Sequence, residues 1–181
     1  MIGPLILSSL GMGGTLERLD LSTQNISIVK HHGRVTASNA CRRERKTMVT
    51  LTTEMKEVFA KTKPYAIATA SKNGIPNVAP IATVQIVADD TIWIGDNYMV
   101  KTLANVRENP HMALYIWDPE KKRCFQIKGI VTVKTSGPDY EKIKAQIKAK
   151  GPHYPAKGLL ILKITEIFDC TPGPNAGKKV E

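Results

Sequence analysis

From Met48 onward the apolar residues alternate between two spacings. "TTEMKEVFAK" sets Met55, Val58 and Phe59 on one side of a helical turn. Thr52 or Thr53 can accept from the orphan amides at its start, and Glu54 suits the positive end of the helix. This predicts an amphipathic opening helix. "YAIATAS" and "NVAPIATVQIV" are rich in small and branched residues. They are separated by "KNGIP", where Asn73-Gly74 offers the positive φ of a tight hairpin. "ADD" makes the next turn and "TIWI" a third strand. "GDNYMVKTLANVRENP" then changes to helical spacing, with Leu103 and Val106 inward and a stop at Asn109-Pro110. "MALYIWD" and "CFQIKGIVTVKTS" read as strands around the charged loop "PEKKR". "PDYEKIKAQIKAK" reads as a helix with Tyr140, Ile143 and Ile147 on one side, and "GLLILKITEIFD" as the last strand. Six strands joined by short turns, with few helices, predict a mainly β chain with flanking helices. The expected form is a six-stranded antiparallel barrel, not a doubly wound parallel sheet.

Residues 1–47 do not share this pattern. Their short apolar patches ("PLIL", "ISIV") have no sustained period and give way to "CRRERK", so a poorly structured extension is expected. Met48 directly precedes the first well-formed element, which makes it the expected start of translation. "LGMGG" imitates a dinucleotide-binding turn, but the position of the third glycine holds Leu16, so the fingerprint fails. The barrel is expected over residues 48–170, and "TPGPNAGKKVE", residues 171–181, as a loop or disordered tail.

Composition narrows the chemistry. The chain has 181 residues and a formal net charge of +10, a surplus that attracts phosphate groups without naming what carries them. Residues 1–47 hold seven Lys and Arg against three acids, so the surplus belongs to both parts of the chain. Cys41, Cys124 and Cys170 are odd in number and widely spaced, which suits neither a disulfide framework nor a zinc site. A reducing, cytoplasmic setting is expected. "MIGPLILSSL" has no basic lead and is far shorter than the ~20 residues of a membrane span. No metal ligand set, nucleophile elbow or HExxH pattern occurs, and catalytic residues are not assignable.

One pair stands out. Lys101 and Thr102 fall in the first turn of the second helix, where unpaired amides and the macrodipole favour an anion. An ammonium and a hydroxyl there would make a phosphate seat. Taken alone, the same residues are also what an ordinary cap and a solvated lysine look like. Upstream, Gly95, Asp96, Asn97 and Tyr98 form an irregular turn able to bond a ligand. In "VAPIAT", the small side chains of Ala79 and Ala82 would let a planar ring approach the backbone, or simply allow close packing in a narrow barrel.

Element order and these motifs together resemble the FMN-binding split-barrel family, which includes the pyridoxamine 5'-phosphate oxidases and small FMN-binding proteins. The resemblance spans roughly residues 50–170 and rests on "AIATASKNGIPNVAPIATVQIV" and "TIWIGDNYMVKTLANVRENP". It implies a six-stranded antiparallel split β-barrel binding FMN, with Lys101 and Thr102 on the phosphate and Asp96, Asn97, Tyr98 and Met99 nearby. Pro80, Ile81, Ala82 and Thr83 would line the isoalloxazine. It also implies a homodimer with the flavin at the interface and an oxidoreductase or electron-transfer role. The chain lacks the terminal Arg-Leu-x-Pro of the pyridoxamine 5'-phosphate oxidases and is nearer in look to the small FMN-binding proteins.

Two alternatives remain open from sequence. A deazaflavin of the F420 type would fit the same seat and slot. A basic nucleic-acid-binding barrel suits the charge and the "KKR" of residues 121–123, yet no row of aromatics offers a stacking platform.

Overall fold

Why "NVAPIATVQIV" does not form one strand explains the whole architecture. The computed structural model describes residues 49–180, all within the unit Arg45–Glu181. The extension expected over residues 1–47 and its "LGMGG" lie outside the described residues. In chain order the elements are α1 (Thr53–Lys61), β1 (Tyr65–Ala70), β2 (Pro76–Ile81), β3 (Val84–Ala88), β4 (Thr91–Asp96), α2 (Lys101–Glu108), β5 (His111–Asp118), β6 (Arg123–Lys134), α3 (Pro138–Lys150) and β7 (Gly158–Asp169). The strands form one seven-stranded antiparallel sheet in the order β2-β1-β5-β6-β7-β4-β3. Sequence pattern alone gave six because it joined β2 to β3. The chain turns at Ala82-Thr83, so β2 pairs with β1 at one edge and β3 with β4 at the other. The Thr83 carbonyl accepts the Gly95 N–H at 2.9 Å, which fixes this turn against β4. Two residues thus link opposite edges of the sheet, and it must curl until the edges approach without pairing. That is a split barrel.

Local chemistry supports each element. Thr52 accepts the Met55 N–H and caps α1, whose Met55, Val58 and Phe59 are buried. Gly74, at φ 81°, closes the β1–β2 hairpin in the left-handed region that glycine enters without strain. Along β1 and β5 burial alternates, and Ile67, Leu114 and Ile116 point into the barrel beside Ile94, Phe125, Ile127 and Leu160. β4 is buried on both faces. Ile92 and Ile94 face inward, while Trp93 packs outward against Tyr140, Ile143 and Ile147 of α3. Burying side chains of this size stabilises by about 1.5–3 kcal/mol each.

The tail is tied down. Beyond Ile164, β7 outruns β4 and leaves a free edge. The chain returns to it: the Val180 N–H donates to the Ile167 carbonyl (2.8 Å) and the Asp169 N–H to that of Lys178 (2.9 Å). Unpaired strand groups explain why a segment expected as loop folds back here. Arg123 locks the same corner, donating to Glu54 through Nε at 2.7 Å and to Asp169 through Nη1 at 2.9 Å. Among the described residues, no helix is long and apolar enough to cross a membrane.

Candidate functional site

The pairing of β4 with β7 sets Asp96 opposite Gly158, so the loop before β7 reaches the end of β4 where the chain swings into α2. Three bonds hold that swing. The buried Asp96 carboxylate accepts the Met99 N–H at 2.8 Å, and the Asp96 carbonyl accepts the Lys157 N–H at 2.8 Å. Asn97 Oδ1 accepts the Ala156 N–H at 3.1 Å. The turn is therefore braced from behind.

The eight-residue helix α2 starts with no side-chain cap and no acid in its first turn, because its N-cap is Val100. Its first amides and the positive end of its dipole are left uncompensated. Thr102 is the second helical residue, so it is not the cap. It is 3% exposed, and its Oγ1 accepts from Asn77 Nδ2 at 3.1 Å. Lys101 is exposed and, among the described residues, pairs with no carboxylate.

A groove of about 460 Å³ runs from this helix start along β2 to the turn at Ala82-Thr83. That volume suits a small organic ligand, whose sites occupy about 300–1,000 Å³. As an edge strand, β2 tolerates Pro76 and Pro80 and leaves alternate backbone groups unpaired by β1. Pro80, Ile81, Ala82, Thr83, Asn97, Tyr98, Met99, Lys101 and Thr102 all line the groove. Asp96 does not line it and instead braces the turn. The groove also takes in Asn77, Val78, Ala79, Gly95, Val100 and Tyr154. Gly95 is fitted closely: a Cβ there would sit 2.7 Å from Ile147 Cδ1 and 2.8 Å from Thr83 Cγ2. Tyr154 reaches the groove from "GPHYPAKG", the loop before β7. Nothing local in the sequence marks Tyr154, which arrives only through β4–β7 pairing. The signal for Asn77 was its place in the edge strand, two residues before Ala79.

A second, more open hollow of about 520 Å³ lies on the outer sheet face, bordered by Ala68, Ala70, His111, Ala113, Lys128 and Glu166. The helix end beside it is the C-terminal one of α2, at Asn109. The same face carries the exposed Val78, Tyr115 and Trp117. Among the described residues no three His, Cys, Asp or Glu side chains gather to hold a metal.

Fold and groove define a split-barrel protein with a ligand slot ending at a cationic helix start. The family model of pyridoxamine 5'-phosphate oxidase matches residues 51–171, and the chain belongs to that family. An uncharacterized protein of Methanocaldococcus jannaschii is 40% identical over 117 residues, which cover 63% of this chain and 77% of that one. Among solved structures, HupZ of Group A Streptococcus aligns with a TM-score of 0.62 and 27% identity, over 70% of this chain and 99% of its own. An FMN-binding protein of Syntrophomonas wolfei aligns with a TM-score of 0.51 and 23% identity, over 62% of this chain and 80% of its own, a likeness of fold.

Proposed function

We propose that the protein binds FMN in the groove along β2 and serves as an oxidoreductase or electron-transfer protein in a reducing cytoplasm. The observation that carries this reading is the uncapped start of α2, with Lys101 beside it unpaired among the described residues, at one end of a slot lined by small and apolar residues. The phosphate would be held by the Lys101 ammonium, the Thr102 hydroxyl and the first-turn amides. The isoalloxazine would lie along Pro80, Ile81, Ala82 and Thr83, where Ala79 and Ala82 present little bulk and the free edge of β2 offers amides and carbonyls to the ring's polar rim. Asn97, Tyr98 and Met99 close the corner between phosphate and ring. FMN, when bound, supplies one- and two-electron chemistry, and the chain's task is to orient it and control access.

The proposed working unit is a homodimer. Val78, Tyr115 and Trp117, exposed on one sheet face beside the second hollow, make an apolar surface of the kind a second copy covers. An apolar rim of Val78, Tyr98 and Val100 around the groove extends the same argument to the flavin site.

The test is the visible absorption of the purified protein, recorded before and after adding FMN and removing the excess. Retained flavin bands near one per chain are the expected result. A protein that retains no FMN contradicts the reading, and retention of F420 in its place would assign the slot to a deazaflavin.

A further inference from the structure

Thr102 contributes to an anion seat only if its hydroxyl hydrogen points into the groove, and a threonine side chain alone does not decide that. Three polar side chains around it do. Asn77 Nδ2 donates to Thr102 Oγ1 at 3.1 Å and to Thr69 Oγ1 at 3.3 Å. Asn105 Nδ2 donates to Thr69 Oγ1 at 3.1 Å. Both Nδ2 hydrogens of Asn77 are thereby engaged, and Asn77 has no donor left for a ligand. The Thr102 oxygen has accepted one bond, so its own hydrogen needs an acceptor elsewhere. Among the described residues, none bonds it. Thr102 is 3% exposed and lines the groove, so the groove is where an acceptor can reach that hydrogen. A buried donor left unpaired is costly, and an anion at the helix start satisfies it.

We infer that Asn77 is the positioning residue of this seat: reaching across from the edge strand, it fixes the Thr102 hydroxyl as a donor aimed at the anion. The inference rests on the flavin reading for the identity of that anion, a phosphate monoester. Asn77 acts through Thr102 and touches neither phosphate nor ring as a donor. Thr69 and Asn105 serve it in turn, since the Asn105 and Asn77 amides both donate to the Thr69 oxygen. Strands β1 and β2 and helix α2 thus meet in one polar chain, Asn105–Thr69–Asn77–Thr102.

The test compares FMN with riboflavin, which keeps the ring and lacks the phosphate. Asn77→Ala should weaken FMN binding by about threefold to tenfold, a partial loss of one charge-assisted bond, and leave riboflavin binding unchanged. Asn77→Asp, of the same shape, should weaken FMN more, because a carboxylate draws the Thr102 hydrogen toward itself; it also serves if the alanine variant folds poorly. In a Thr102→Val background, Asn77→Ala should have no further effect on the FMN-to-riboflavin ratio. Equal losses for both ligands would mean that Asn77 only holds the fold, and additive losses that it acts without Thr102. Either result, or an unchanged ratio, overturns the inference. Inorganic phosphate, followed through the amide signals of Lys101, Thr102 and Leu103, separates the two readings. A phosphate response that Asn77→Ala abolishes keeps the positioning role even if FMN does not bind. No response to phosphate, with no preference for FMN, removes both.

Discussion

At the residue scale, the start of α2 sets an ammonium beside amides that no other described side chain neutralises. Lys101 has no counter-charge among the described residues, so its field is available to a ligand. Removing it should cost a charge-assisted contact. Lys101→Ala is expected to weaken FMN binding by about 1.5–3 kcal/mol, roughly tenfold to a hundredfold. Equilibrium titration checks it, and unchanged affinity takes Lys101 out of the site. The pair Lys101-Thr102 was legible because its chemistry is local: a cation and a hydroxyl at the first turn of a helix whose start is marked by a spacing change. Asn77 and Tyr154 were not legible in that way. Each reaches the groove by strand pairing, Asn77 from the β1 hairpin and Tyr154 from the loop before β7. Asp96, expected to contact the cofactor, does not line the groove: its carboxylate, 1% exposed, accepts the Met99 N–H and braces the turn.

At the scale of elements, helices α1, α2 and α3 and most strands follow from periodicity, because each buries one face against the barrel. The exception was the division of β2 from β3. Apolar and small residues run unbroken through "NVAPIATVQIV", and only the partners at the two sheet edges reveal the turn. The docking of the tail cannot be read from its own residues, since it depends on β7 outrunning β4. That corner gives a pH dependence. Burial by itself would push Asp169 up, but bonds from Thr171 and the Arg123 guanidinium outweigh it and hold its carboxyl below the usual carboxylate range. A folded value below the unfolded value of about 3.9 means stability fully present above that pH and lost as pH falls through the folded value. Asp169→Asn should therefore be less stable than the parent at pH 7, with the gap closing as the pH falls through the lowered folded value. Urea unfolding across that range measures it. A gap independent of pH would mean that packing, not charge, holds the corner.

At the scale of the molecule, a curled sheet whose outer face exposes a cluster of large apolar side chains calls for a cover. Tyr115 and Trp117 share that face with Val78, next to the groove that Val78 also lines. Trp117→Lys should shift the assembled mass from two chains toward one and weaken flavin retention with it. Native mass spectrometry reads the first, and a parent protein of single-chain mass would overturn the dimer. The central claim is the phosphate seat at the start of α2, and it is tested most directly by titrating the parent protein with FMN and riboflavin side by side. FMN binding at least about tenfold tighter than riboflavin is what a charge-assisted phosphate contact predicts. Equal affinity for the two would contradict it.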